Sequence, residues 1–105
     1  MKALLYVRAV VPDPADRPAF DAWYGEKHSP EGVEKLGFIR FWRYWSHLDA
    51  SVHYAFYEIE DVAFYDRMIK TPEHAALVAD FTATWGDKVT RAGDVLRFVH
   101  QFPSI

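Results

Sequence analysis

Cysteine is absent from this 105-residue chain, which excludes disulfides, thiolate metal sites and cysteine nucleophiles and agrees with a reducing compartment such as the cytoplasm. A dominant charge is missing too: the formal net charge is −3 and acidic and basic residues are interspersed. No basic face offers the counterion release that nucleic-acid binding relies on, so nucleic acid is not expected as a partner. Long hydrophobic runs are lacking. The apolar stretch Met1 to Val11 carries Lys2 and Arg8, is too short to cross a bilayer and has no small-residue cleavage site, so it reads as a strand and no membrane partner is expected. There is no G-x-G-x-x-G, P-loop or G-x-S-x-G pattern, which leaves nucleotide binding and serine hydrolysis without support. His47 with His53, and His28 with Glu31, match no recognised ligand spacing, so no structural metal is expected.

What is abundant is aromatic: eight Phe, six Tyr and four Trp, enough apolar surface to drive folding. The length suits one domain over residues 1–105. Ala3 to Val11 reads as a first strand closed by Pro12. Asp13 or Asp16 can cap a helix whose Phe20, Trp23, Tyr24 and Lys27 recur at helical spacing to about His28. Pro30 disfavours helical geometry at Ser29, so a bend is predicted there, then a short turn over Glu31 to Leu36 before Gly37. Phe38 to Ser46 and His53 to Ile59 read as strands with apolar residues on both faces. Asp61 caps a helical stretch, and Thr71-Pro72 stops it and starts a last helix, with His74, Val78, Phe81 and Trp85 on one face, ending at Gly86. A polar link containing Gly93 leads to a fourth strand predicted over Val95 to Phe102.

The order β-α-β-β-α-β is the ferredoxin-like α+β pattern, a four-stranded antiparallel sheet with its helices on one face. The other face would be bare, exposing an aromatic patch larger than monomers usually carry. Two sheets pairing face to face would cover it and make a homodimer, and about eight strands enclose room for one small ligand.

The run Phe20 to Pro30, FDAWYGEKHSP, followed by Gly37-Phe38, resembles the F-x-x-W-Y-x-x-x-H-x-P signature of EthD-like proteins in the dimeric α/β-barrel superfamily. That resemblance implies a homodimer whose subunits each contribute a sheet to a barrel, with a pocket between sheet and helices. It does not choose a function. The superfamily includes cofactor-free monooxygenases of polyketide quinones, muconolactone isomerases, polyketide cyclases, haem-handling enzymes and accessory proteins of degradation pathways.

Among single residues His28 stands out, placed at the predicted end of a helix, where the dipole would favour the imidazolium. It can act as general acid or base, or simply cap carbonyls. Tyr24, four residues earlier, shares its face and can help polarise a carbonyl or phenol; Trp23 packs beside them. Arg8, Arg40 and Glu58 fall, by strand parity, on one face with Tyr6, Trp42, Tyr54 and Phe56. Charges there need partners, so they pair with one another or meet a polar ligand group in a cavity. Arg40 is then a clamp for a carboxylate or enolate, with Arg43 and Arg97 in that role if the parity is reversed. The resulting expectation is a cofactor-independent acid/base enzyme, of isomerase, cyclase or dehydratase type, using His28, Tyr24 and Arg40 on a small aromatic or polyketide-like metabolite lined by Tyr6, Arg8, Trp23, Trp42, Tyr54, Phe56 and Glu58. A cofactor-free monooxygenase and a non-catalytic metabolite-binding or accessory protein are the alternatives. Haem ligation by one histidine stays open.

Overall fold

Four strands build one sheet, and the computed structural model describes the chain over residues 2–104. The strands are β1 (Ala3–Val10), β2 (Arg40–Trp45), β3 (Val52–Ile59) and β4 (Thr90–Arg97). They form one antiparallel sheet in the order β2-β3-β1-β4. The helices are α1 (Arg17–Trp23), α2 (Ser29–Glu31), α3 (Val62–Met68) and α4 (Pro72–Trp85). This is the expected ferredoxin-like arrangement, and among the described residues no helix is long and apolar enough to cross a membrane.

Local capping follows the sequence closely. Asp61 accepts from the Phe64 N–H and Thr71 from the His74 N–H, opening α3 and α4, so each relieves one of the orphan donors of a first turn. Gly37 sits at φ 87°, a left-handed conformation that glycine adopts without steric penalty, and its N–H closes the preceding helical turn on the Gly32 carbonyl.

Two boundaries differ from expectation. The helix does not bend away at Pro30; helical backbone continues from 17 to 36, with π-helical turns at Tyr24–His28 and Gly32–Leu36. Proline lacks an N–H, and its ring collides with a carbonyl four residues back in a regular helix. Here the Ser29 N–H reaches back to the Tyr24 carbonyl, and this wider turn makes room for the ring. His28 therefore lies inside a helical stretch rather than at its end, so the dipole argument for an imidazolium fails. The fourth strand is also displaced, running from Thr90 rather than Val95, with Gly93 inside it. A single turn, Gly86–Lys88, delivers the chain to the sheet edge, and all eight residues of β1 then find partners, from Val10 with Thr90 to Ala3 with Arg97. As an edge strand β4 is exposed almost throughout, so the segment 90–94 shows no apolar alternation. Phe98, Val99 and Phe102 lie beyond it, exposed.

The core lies between the helices and one sheet face. Ala9, Ala55, Tyr57 and Ile59 point into it from the strands, and Phe20, Tyr24, Phe81 and Trp85 from the helices. Phe20, fully buried, meets Tyr24, Trp45, His53, Phe81 and Trp85 with ring centroids 5.2–6.2 Å apart. Burying such a ring contributes about 2–3 kcal/mol.

Candidate functional site

A cavity of about 300 Å³ opens between the sheet and the helices. Leu5, Val7, Tyr57 and Arg91 line it from the strands, and Tyr24, His28, Tyr65, His74 and Leu77 from the helices. Its walls are chiefly apolar with a few polar tips, the usual character of a small-molecule site.

His28 and Tyr24 reach the cavity because the π-turn Tyr24–His28 keeps both on its inner side. Their rings are 4.9 Å apart, edge to face. Trp23 lies behind, stacked on the imidazole at 4.8 Å and 18°, and Phe81 closes the other side at 5.6 Å. Burial in this aromatic box, followed by the positive charge of Arg91, lowers the His28 pKa from 6.5 to about 4. The imidazole is neutral at pH 7, and its Nδ1 is buried without a hydrogen-bond partner.

Arg91 supplies the cavity's cation. It sits at the rim on β4, its guanidinium carbon 3.7 Å from the Phe81 ring centroid. No ion pair among the described residues includes it. Tyr24 and Tyr57 are joined at 3.1 Å, with Tyr57 as donor, and Ser29 Oγ lies 3.0 Å from the Tyr57 hydroxyl. Burial pushes both phenols up.

Under the same face, outside the residues that line the cavity, is a second polar cluster. Arg43 Nη1 donates to Asp21 and meets His53 Nε2, both at 3.1 Å, and the Trp45 indole N–H donates to Asp21 at 2.8 Å. The Trp45 bond and Arg43 together hold the Asp21 carboxyl below its usual range. Burial, with Arg43 beside it, lowers His53 to about 4. Gly25 makes the packing possible, since a Cβ there would lie 2.6 Å from Arg43 Nη2.

The other expected site residues lie elsewhere. Tyr6, Arg8, Arg40, Trp42, Tyr54, Phe56 and Glu58 do share one face, as parity predicts, but it is the open face of the sheet, turned away from the cavity. Arg40 and Glu58 pair there at 2.7 Å, with Arg40 Cζ 6.0 Å from the Trp42 ring centroid. Arg40 thus reaches neither His28 nor Tyr24, because strand parity separates it from them by the thickness of the sheet. The cavity's cation is Arg91, which the sequence reading missed by starting β4 five residues late. Arg43 is on the covered face but is committed to Asp21 and His53. Lys27 is a solvated pair-former, with Glu31 and Asp80 at 2.7 Å. Among the described residues no group of three His, Asp or Glu side chains is placed to hold a metal ion.

No protein-family model matches the chain, and no curated protein matches it in sequence. Solved structures do match in shape. SnoaB from Streptomyces nogalater, a cofactor-independent oxygenase, superposes with a TM-score of 0.70 at 14% identity over 99% of this chain and 100% of its own. HapK from Hahella chejuensis gives 0.69 at 19% identity, over 100% and 97%. An ethyl tert-butyl ether D (EthD) family protein from Bacillus halodurans gives 0.62 at 20% identity, over 87% and 96%. The likeness first seen in the residues from Phe20 to Pro30 therefore extends to the whole fold, and the chain has the ferredoxin-like α+β architecture of these proteins.

Proposed function

We propose that the chain is a small cofactor-independent enzyme that moves a proton on an aromatic or polyketide-like metabolite held in the cavity, as an isomerase, cyclase or dehydratase does. The neutral, unpartnered imidazole of His28 beside the Tyr24 hydroxyl and the unpaired Arg91 is the observation that carries this reading. The imidazole accepts a proton from an activated C–H of the substrate, and the electron pair left behind moves onto a neighbouring carbonyl oxygen. Tyr24 donates a hydrogen bond to that oxygen, and Arg91 faces its growing charge. Return of the proton to a different carbon completes an isomerisation.

A pKa of about 4 makes His28 a weak base in the empty cavity. An anionic substrate oxygen offsets the Arg91 charge that helps to depress it, so binding strengthens the base where it is needed. For His28→Ala the expected outcome is turnover lower by roughly 10²–10⁴-fold with fold and ligand affinity retained. Unchanged turnover would overturn the assignment.

The shape likeness to SnoaB favours one second reading. Here the same proton removal creates a carbanion that passes electrons to molecular oxygen. Oxygen uptake in proportion to substrate consumed would select it.

The open face supports a homodimer. Tyr6, Trp42, Tyr44, Tyr54 and Phe56 form a continuous aromatic surface with centroids 5.5–6.0 Å apart, and Tyr44 is 58% exposed. A second copy presents the same surface and would cover it. Sedimentation at micromolar concentration tests this, and a stable monomer would contradict it.

A further inference from the structure

Three buried hydroxyls beside His28 form a chain whose direction follows from the Tyr57-to-Tyr24 hydrogen bond, and we infer that Ser29 and Tyr57 are positioning residues that fix the Tyr24 hydroxyl as a donor to a carbonyl, enolate or phenolate oxygen in the cavity. The inference rests on the acid/base reading of the same cavity and specifies which part of the substrate meets Tyr24.

Tyr24, Tyr57 and Ser29 are all buried, and each hydroxyl has one hydrogen to give. The Tyr57 hydrogen goes to Tyr24, at 3.1 Å. The contact between Ser29 Oγ and the Tyr57 hydroxyl, 3.0 Å, can then be made only with Ser29 as donor. The Tyr24 oxygen is occupied as an acceptor, and its own hydrogen has no protein acceptor among the described residues. A buried donor left without a partner is costly, and Tyr24 lines the cavity, so a ligand oxygen is the partner that satisfies it. Each donated bond polarises the next, which makes the last hydroxyl a better donor to an anion. The same arrangement selects against a ligand that presents only N–H donors at this point, because two donors would face each other.

The chain is assembled by tertiary contact. Tyr24 belongs to the first π-turn, Ser29 to the turn of α2 that follows, and Tyr57 to the covered face of β3. The wider turn before Pro30 is what brings Ser29 around to Tyr57.

The test uses 4-nitrophenol, whose ionisation is read directly from its absorbance, bound to the full chain. Wild type should bind the phenolate in preference to the phenol and lower the apparent pKa of the bound probe. Tyr24→Phe should abolish most of that shift. Tyr57→Phe, which keeps the ring and removes the donor, should raise the bound pKa by about one unit, a tenfold change in ionisation. Ser29→Ala should raise it less, acting one bond further away. Circular dichroism and the melting curve establish that each variant is folded, and if Tyr57→Phe does not fold, Ser29→Ala alone decides. Bound pKa values identical to wild type in the folded variants, or failure of the wild type to bind the probe, would overturn the inference. The titration needs no turnover, so a graded pKa series in a protein without catalysis would sink the acid/base reading and leave the hydroxyl chain standing.

Discussion

On the covered face of the sheet Arg43 is largely enclosed and held by Asp21 and His53, whereas on the open face Arg40 leans over Trp42 with 64% of its side chain in water, paired to a Glu58 that is only 7% exposed. Both arginines lie on β2 and both have a carboxylate partner. Their surroundings differ in access to water: Arg43 is enclosed beside a fully buried His53 and cannot be removed without stranding that imidazole, while Arg40 stands in water, and its removal opens the nearly buried Glu58 to solvent.

The comparison is broken most severely by Arg43→Ala. It leaves His53 Nε2 without its donor and empties the space beside Gly25, so a loss of about 2 kcal/mol is expected in urea unfolding. An effect within error would mean that the cluster relaxes or admits water.

Acid acts on the same face. In the unfolded chain His28 and His53 would titrate near their ordinary 6.5, while in the fold both are held to about 4. Between those values the unfolded chain binds more protons, so stability is complete above about pH 6.5 and falls as pH drops towards 4. Urea midpoints measured across this window should show a slope approaching two protons per molecule, and His53→Phe should remove one of them. The kcat/KM of a reaction that depends on neutral His28 should stay level down to about pH 5 and then fall, while kcat, which reports the strengthened base of the complex, should begin to fall at higher pH.

On the open face, Phe56→Glu places a charge amid the aromatic surface without touching the cavity. The expected result is weaker self-association, by roughly tenfold or more from one unpaired charge at an interface. An unaltered sedimentation profile would show that this face is not where copies meet. The smallest effect belongs to Arg40→Ala. Below the association midpoint it should cost about 1 kcal/mol, because water enters where the guanidinium lay and hydrates the nearly buried Glu58 carboxylate. A larger loss would mean that Glu58 depends on its partner more than the exposure of Arg40 implies.

Much of this is legible in the sequence. The caps Asp61 and Thr71 were legible because capping is local chemistry, involving an oxygen and an N–H three residues away. His28 and Tyr24 were legible as a pair because i and i+4 positions share a helix face whether or not the turn is widened. The Arg40–Glu58 pairing and the common face of Tyr6, Trp42, Tyr54 and Phe56 followed from a strand period of two. The side on which the cavity opens was not legible, since parity groups residues without saying which group the helices cover. Arg91 was missed because the edge strand that carries it is wet on both faces and shows no apolar pattern.

The order of elements, the double-sided aromatic sheet and the Tyr24–His28 pair were therefore determined by the sequence itself, through periodicities and caps that act over a few residues. The tertiary structure decided that the helices cover the Tyr57 side of the sheet, that Arg91 meets His28 across the cavity, and that Ser29, Tyr57 and Tyr24 stand within hydrogen-bond reach. These contacts join residues 28 to 63 positions apart in the chain, and only packing against a common core brings such distant groups within a few ångströms.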